Sequence, residues 1–336
     1  MITIKDVAKL AGVAISTASI ALNGKDKVSE ETKRKVFAAA KQLNYQKNGA
    51  AMDLKRSSTK TIALILKDLS GPFYSELIKG VQEVTIANGY DLIACSSLGG
   101  SDSTAVKFLR EKRVDGVIVL ANNISDKIIK TSQREGFPIV LLDRLLEGDY
   151  LLNVLVDNEQ GGYLATKYLL DQGHRKVSFI SGSSGSYDNK MRLEGYKRAL
   201  KEQGVPYEAK WNTSGNFTRD GGYSATKTLI IQGDLPTAIF YANDEMAIGG
   251  MKAFKEKDIK VPTDISVIGF DDIQIAEYVT PALTTIRQPK YEMGTLASHI
   301  LFQVLDEKQL IKRNYQLSTE IIIRESCGAT SNSTTQ

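Results

Sequence analysis

The chain has 336 residues, of which 42% are hydrophobic and 24% are charged. That length predicts two or three domains, and that composition is typical of a soluble globular protein. No apolar run is as long as a membrane span, the first residues lack a signal-peptide core, and the two cysteines do not suggest a disulfide framework. We therefore expect a protein of the reducing cytoplasm.

Positive charge is concentrated near the first residue. Residues 1–60 contain 12 Lys and Arg against 5 Asp and Glu, whereas residues 61–336 contain 31 against 34. A basic segment joined to a near-neutral body is typical of a head that binds a polyanion. A solvated helical surface would have the same charge, so charge alone leaves both interpretations open.

Residues 3–45 predict three short helices. Thr3 and Asp6 have the spacing of a capping box, and Gly12 is a natural helix stop. A second helix would then run from about Ile15 to Asn23, and Ser29 would cap a third. The residues expected to be buried on the second helix are Ala18, Ala21 and Leu22.

Two helices joined by a glycine turn in a basic segment predict a helix-turn-helix motif. The second helix would then read DNA. The hydroxyls of Thr17 and Ser19 could bind phosphates, and the base-facing residues would be Ile15, Ser16 and Ile20. A small helical bundle that binds nothing is the alternative.

From Thr61 onwards, short apolar runs alternate with stretches that suit helices. The strand-like runs are "TIALIL", "DLIACS", "VDGVIVL", "PIVLLD", "KVSFIS", "TAIFYAN" and "ISVIGFD". This alternation predicts parallel sheets with right-handed crossovers. Because a second series begins near Gly161, we expect two α/β subdomains, and "NYQLSTEIIIR" predicts one further strand.

Polar residues follow several of these runs, where a cleft between subdomains would bind a small molecule. They are Asp143, Asn243 and Asp271, and Arg192 would begin a helix after the loop "SGSSGSYDNKM". That loop could hold a phosphate at a helix N-terminus. Neither histidine belongs to a recognisable triad or zinc motif, so we predict no enzyme, no metal site and no cofactor.

Several motifs resemble the lactose/galactose repressor (LacI/GalR) family over nearly the whole chain. Among them are "TIKDVAKLAGV", "ALNG", "VSEETKRKV", "SGPFYSELIKGV", "RVDGVIVL", "GHRKVSFISG", "ANDEMAIGGMKA" and "TPALTTIRQP". Several of these motifs are specific, and the resemblance implies a homodimeric transcriptional regulator. It implies a helix-turn-helix head, a hinge helix and a body of periplasmic-binding-protein type I architecture.

The resemblance also implies which residues contact operator DNA. On the head they are Thr3, Ser16, Thr17, Ser19, Asn23 and Tyr45. In the hinge, Lys55 matches a further contact, and Leu54 with Ala51 matches the apolar wedge that enters the minor groove. This chain departs from the family at Ile20, where relatives often have Arg or His, and at Met52, where they often have Arg.

In the body, the resemblance implies an effector pocket whose chemistry suits a sugar or sugar phosphate. Carboxylates and a guanidinium bind vicinal hydroxyls, and aromatic rings cover the apolar face of a sugar ring. The implied pocket residues are Phe73, Asp143, Arg192, Phe217, Asn243, Asp271 and Gln288. A regulator controlled by a purine or a phosphoprotein is the alternative, and a sugar transport receptor is a more distant one.

The expected organisation has four parts. Residues 1–46 form the DNA-binding head, and residues 47–60 form the hinge helix and linker. Residues 61–330 form the effector-binding and dimerisation domain, and residues 331–336 are expected to be disordered. The expected partners are double-stranded operator DNA, a small-molecule effector and a second copy of the chain.

Overall fold

The computed structural model describes residues 2–24, 27–46, 58–111, 113–308 and 312–329. The chain divides into two compact units, Met1–Thr59 and Lys60–Gln336, which we call the head and the body. The predicted hinge helix and the predicted disordered tail lie outside the described residues.

The head contains three helices, α1 (Ile4–Ala11), α2 (Ile15–Leu22) and α3 (Glu30–Gln42). The predicted capping box at the start of α1 is present, since the Thr3 backbone N–H donates to Asp6 Oδ2 at 2.8 Å. Gly12 ends α1 in the left-handed conformation, with φ 66°. Ser29 Oγ accepts from the Thr32 N–H at 3.3 Å and so caps α3. These local predictions are confirmed.

Small apolar side chains form the centre of the head. The predicted inward residues of α2 are all buried, and they pack with residues of α1 and α3. The buried set is Val7, Ala8, Ala18, Ala21, Leu22, Val36, Ala39 and Ala40. Because these side chains are short, the three helices approach closely and the outer face of α2 is left for a partner.

The body alternates strands and helices, as predicted. Its strands are β1 (Thr61–Leu66), β2 (Asp91–Ser96), β3 (Gly116–Leu120), β4 (Ile139–Leu142), β5 (Leu151–Val156), β6 (Val177–Ser181), β7 (Asn212–Ser214), β8 (Ala238–Tyr241), β9 (Ser266–Ile268), β10 (Thr285–Arg287), β11 (Asn314–Leu317) and β12 (Glu320–Ile322). Its helices are α4 (Tyr74–Ala87), α5 (Thr104–Arg110), α6 (Asp126–Ser132), α7 (Asn158–Asp171), α8 (Tyr187–Glu202), α9 (Arg219–Gln232), α10 (Asp244–Lys255) and α11 (Lys290–Leu305).

The strands form two parallel sheets and one short antiparallel pair. The first sheet has the order β11-β5-β4-β3-β1-β2, and the second has the order β7-β6-β8-β9. Strands β10 and β12 pair antiparallel. Each parallel sheet packs against helices around its own buried core. The predicted α/β class with two parallel-sheet subdomains is confirmed.

The strand prediction for the last part of the chain was wrong in one respect. The run "NYQLSTEIIIR" forms two strands in different sheets, because β11 pairs with β5 and β12 pairs with β10. The chain crosses from one subdomain towards the other at Ser318–Thr319. Strand β5 follows β4 through a loop without a helix, so the strand–helix alternation did not predict it either.

The chain passes between the two subdomains at three places in the body. These are Asp157 before α7, the Gln288–Pro289 segment before α11, and Ser318–Thr319. All three lie next to the carboxyl ends of strands, so the loops that follow the strands of both sheets face a common cleft. Within the described ranges, no helix combines the length and the apolar character needed to cross a membrane.

Candidate functional site

The outer face of α2 carries the predicted DNA-reading residues. Ile15 and Ser16 are exposed, with Ile15 at 47%, whereas Ser19 and Ile20 are partly exposed. One turn further on, Asn23 Nδ2 donates to Ser19 Oγ at 3.4 Å. These residues lie opposite the buried Ala18, Ala21 and Leu22, so α2 presents hydroxyl, amide and aliphatic groups on one side.

The first turn of α2 is free of side-chain capping. Its N-cap residue, Ala14, has no side-chain hydrogen bond, and the turn contains no acidic residue. Unpaired N–H groups at a helix N-terminus favour an anion such as a phosphate. Of the other predicted DNA contacts, Thr3 is exposed and Tyr45 packs partly against the head core. Ala51, Leu54 and Lys55 lie outside the described residues.

A cavity of about 860 Å³ lies between the two subdomains of the body. Its walls come from the segments after β1, β3, β4, β6, β7, β8, β9 and β10 and from the first turns of several helices. The structure brings together on these walls all the residues named from the sequence as pocket residues, namely Phe73, Asp143, Arg192, Phe217, Asn243, Asp271 and Gln288.

Arg192 is the buried cation of the cleft, with only 2% of its surface exposed. It does not begin a helix, as the sequence suggested, but lies in the second turn of α8. Its Nε donates to Asn158 Oδ1 at 2.9 Å, and its Nη1 donates to the Ala242 carbonyl at 2.5 Å. Its guanidinium carbon lies 3.8 Å from the centre of the Phe270 ring. The side chain is therefore held rigidly from three sides.

Close packing of α7 against α8 sets the position of Arg192. A Cβ at Gly162 would lie 2.3 Å from the Arg192 carbonyl oxygen, and a Cβ at Gly195 would lie 2.0 Å from the Glu159 carbonyl oxygen. No side chain fits in either place, so glycine allows the two backbones to approach. The crossover residue Asp157 caps α7 by accepting from the Gln160 N–H at 3.0 Å.

Asp143 lies directly after β4 with φ 46°, a left-handed conformation that costs energy in a non-glycine residue. Its Oδ1 accepts from the Val156 N–H at 2.9 Å and from Asn158 Nδ2 at 3.2 Å. Burial, together with the negative charge of Asp188, raises the pKa of Asp143 to about 7. This carboxyl group can therefore be protonated near neutral pH.

Asp271 lies on the opposite wall, after β9, with φ 114°. Gln288 Nε2 donates to its Oδ1 at 2.6 Å, and Lys290 Nζ donates to its carbonyl oxygen at 2.6 Å. Burial raises the pKa of Asp271, while the charges of Arg192 and Lys290 oppose that rise. Two of its contacts thus come from the segment that returns the chain to the first subdomain.

The remaining predicted residues shape the ends of the cavity. Asn243 caps α10 by accepting from the Met246 N–H at 3.0 Å, and its Nδ2 donates to the Phe217 carbonyl at 3.2 Å. Phe217 has φ 61°, and its ring covers Gly182, where a Cβ would lie 2.1 Å away. Phe73 packs edge-on against Tyr74, with ring centres 5.6 Å apart. Aromatic rings therefore line both walls.

Matches to families of known proteins agree with this arrangement. The family model described as bacterial regulatory proteins, lacI family, matches residues 3–48, and a periplasmic binding protein-like domain matches residues 166–327. The HTH-type transcriptional repressor PurR of Photobacterium profundum is 38% identical over 329 residues, which is 97% of this chain and 98% of that protein. The chain belongs to the LacI family.

Solved structures of LacI-family regulators have the same fold. The lac repressor dimer bound to operator and the anti-inducer ONPF has a TM-score of 0.78 at 27% identity, over 98% of this chain and 99% of that one. The transcriptional regulator CelR in complex with cellobiose has a TM-score of 0.72 at 28% identity, over 97% of this chain and 100% of that one. This LacI-family protein is a DNA-binding transcriptional repressor. The members of its family are non-enzymatic regulators that bind operator DNA and small-molecule effectors.

Sequence reasoning missed several residues that the LacI-family body brings to the cleft. Asn158 was not among the predicted pocket residues, but it bridges Asp143 and Arg192. Asp188 lies one helical turn before Arg192, a spacing that could have indicated it. No motif in the sequence indicated Lys290. Further lining residues that we did not predict are Asp68, Tyr74, Asn122, Arg144, Tyr187 and Asn216.

Proposed function

We propose that this repressor binds a pseudo-palindromic operator as a homodimer and that a small sugar in the inter-subdomain cleft sets its affinity for DNA. The effect would be a coupling free energy between the effector and the operator. Subdomain closure around the sugar would order or melt the hinge helix predicted within residues 47–60, because a helix that short is marginal without a partner surface. The observation that carries the sugar assignment is the chemistry of the cleft.

The cleft is rich in groups that accept hydrogen bonds. Asp143 and Asp271 supply carboxylate oxygens from opposite walls, and Gln288 Oε1, which is buried, has no hydrogen-bond partner in the part of the chain that the structure describes. A ligand with several hydroxyl donors would satisfy these groups, and Phe73 and Phe217 would cover its apolar face. A sugar has this combination. The cellobiose complex of CelR supports the same assignment.

A purine effector is the second candidate. The relative at 38% identity is named PurR, and rings on both walls, including Phe73 and Phe217, could stack on a planar base. The acceptor-rich interior favours the sugar, because a purine offers fewer donors than a sugar to the carboxylates and to Gln288 Oε1.

Thermal-shift screening of the full chain against sugars, sugar phosphates and purines tests the assignment. A ligand that binds only the folded protein raises its melting temperature, and the rise grows with the logarithm of the ligand concentration once that concentration exceeds Kd. We expect sugars to stabilise the protein and Arg192→Lys or Asp271→Asn to abolish the effect. Arg198→Lys is the matched control, because Arg198 lies on the same helix and pairs with Glu159 outside the cavity lining. Stabilisation by purines alone, lost in the Arg192 and Asp271 variants, would reject the sugar.

The homodimer is supported by an uncovered edge of the first sheet. Strand β2 is the last strand of its sheet, and the α4–β2 region exposes Ile86 at 61%, Ile93 at 41% and Leu98 at 63%. An exposed apolar sheet edge invites pairing with another chain. We expect Ile93→Lys with Leu98→Lys to shift the protein towards monomer in sedimentation experiments. Ile231→Lys, an exposed apolar position on α9, is the control. If the double variant remains as dimeric as the wild type, this surface is not the dimer interface.

For the head, we propose that Ser16, Thr17, Ser19 and Asn23 contact DNA together with Thr3 and Tyr45, and that Ile15 and Ile20 face the bases. In the hinge, Ala51, Leu54 and Lys55 would enter or flank the minor groove. A two-fold dimer implies two half-sites related by the same symmetry. Operator selection with the purified full chain tests this, and the recovery of half-sites without two-fold symmetry would contradict it.

A further inference from the structure

Carboxylates lie close to Arg192, the buried cation of the cavity lining. Arg192 Nη1 lies 3.7 Å from Asp271 Oδ1, and Arg192 Nη2 lies 3.9 Å from Asp188 Oδ2. Asp143 lies on the facing wall and is linked to Arg192 through Asn158. Two carboxylates of its own subdomain therefore flank the guanidinium, and the carboxyl group of Asp143 in the other subdomain is linked to it through Asn158.

The charge of Arg192 is already balanced by neighbouring carboxylates. Its Nε and Nη1 already donate to Asn158 and to the Ala242 carbonyl, and Asp271 and Asp188 flank its two terminal nitrogens. Only 3% of its side chain is exposed. A phosphate that approached this guanidinium would also approach the carboxylates that balance its charge.

The other cations on the cavity lining are paired or lie towards solvent. Arg144 contacts Asp126 and donates to the Ile124 carbonyl at 2.7 Å, and Arg219 Nη2 lies 2.7 Å from Glu245 Oε1. Lys190 is exposed and Lys67 is half-buried, so both are better hydrated than Arg192. Charge–charge energies are smaller in a hydrated environment than in a buried one.

We infer that Asp188 sets the charge selectivity of the cleft, so that the effector is a sugar with only hydroxyl or amino groups and without a phosphate. This inference rests on the proposed function and narrows it. A phosphate placed beside Arg192 would also lie close to Asp188 and would meet like-charge repulsion that water screens poorly in a buried site. A hydroxyl or an ammonium group would instead donate to the same oxygens.

The negative charge of Asp188 acts on titratable groups of both walls of the cleft, as expected for a residue in the middle of the cavity. Its negative charge contributes to raising the pKa of Asp143 on one wall and of Asp271 on the other, and it also contributes to the raised pKa of Tyr74. Asp188 additionally lies in the first turn of α8, where an acid stabilises the helix. Each variant must therefore be compared with its own ligand-free melting temperature.

The melting temperature in inorganic phosphate tests the inference even though the sugar is not identified. At matched ionic strength, we expect phosphate to leave the melting temperature of the full chain unchanged relative to chloride. Asp188→Asn should gain a phosphate-dependent stabilisation that Arg192→Lys, added to it, removes. Asp102→Asn is the matched control, because Asp102 is exposed and outside the cavity lining. Stabilisation of the wild type by phosphate that Arg192→Lys abolishes would overturn the inference, and so would Asp188→Asn behaving like the control.

Sugars tested in pairs, each with its 6-phosphate ester, give the second readout. For a sugar that binds, we expect the phosphorylated form to bind at least about tenfold more weakly, and Asp188→Asn to reduce that ratio, because one buried charge is removed. Tighter binding of the ester would reject the inference and leave the sugar assignment intact. If purines alone bind, the sugar assignment fails, and the phosphate experiment still decides whether Asp188 excludes anions.

Discussion

Asn158 accepts a hydrogen bond from Arg192 Nε at 2.9 Å. Its Nδ2 also donates to Asp143 Oδ1 at 3.2 Å, so one amide joins the strand-end carboxylate of one subdomain to the buried guanidinium of the other. Asn158 is 1% exposed and follows the first crossover between the subdomains. A neutral side chain thereby fixes the two charged groups of the cleft in relation to each other.

Replacing Asn158 should destabilise the body more than the loss of a small polar side chain would by itself. Asn158→Ala would leave Arg192 Nε buried without its acceptor, and unsatisfied buried donors cost about 1–3 kcal/mol. We expect a lower free energy of unfolding in denaturant titrations. Asn88→Ala is the control, since Asn88 is exposed and makes one local bond to the Val84 carbonyl. Equal losses in the two variants would argue against the bridging role.

Asp143 should make stability depend on pH. Its pKa is raised to about 7 in the folded protein from an ordinary value of 3.8, so the folded state holds a proton that the unfolded chain releases between these values. The stability contributed by this protonation is therefore lost as the pH rises from about 4 to about 7, by up to about 1.4 kcal/mol per pH unit.

The variant Asp143→Asn should remove that contribution. The difference in stability between the variant and the wild type should therefore shift in favour of the variant as the pH rises through this window, because only the wild type loses the contribution of the proton. Asp102→Asn, at an exposed site, should run parallel to the wild type. A constant difference between Asp143→Asn and the wild type from pH 4 to pH 8 would contradict the raised pKa.

Gly195→Ala should disturb the cleft through helix packing. The added Cβ would meet the Glu159 carbonyl oxygen at 2.0 Å and the Tyr163 backbone nitrogen at 2.6 Å, so α7 and α8 would have to separate. Overpacking of this kind costs about 1–3 kcal/mol. Gly328→Ala is the control, because its Cβ would meet only Pro262, at 3.6 Å. Calorimetry of the full chain should show a lower melting temperature for Gly195→Ala alone.

Ile20 should give the operator an unusual base preference. Its partly exposed aliphatic side chain can contact a thymine methyl group but cannot form the hydrogen bonds of an arginine with guanine. Systematic base substitution in the selected operator should therefore show a departure from the usual family half-site at the position under Ile20. Ile20→Arg should shift the preference there by about 1–3 kcal/mol, while other positions stay unchanged. A conventional preference in the wild type would reject this role.

Much of the head could be predicted because its determinants are local in sequence. The Thr3–Asp6 pair, the left-handed Gly12 and the Ser29 cap each act within about one helical turn. The buried face of α2 follows from helical spacing alone. In the body, the apolar strand runs predicted parallel sheets, since their period and length differ from those of the helices between them.

The geometry of the cleft could not be predicted in this way, because it depends on contacts between residues far apart in the chain. Asn158 and Arg192 are 34 residues apart, and Gln288 and Asp271 are 17 residues apart on different segments. Whether Asp271 lies beside Arg192, and whether Lys290 binds the Asp271 carbonyl, depends on how the chain crosses between the two sheets. Local propensity contains no information about that approach, because it arises from helix packing and chain crossing. Burial then decides which charges interact strongly, and burial is a property of the folded chain.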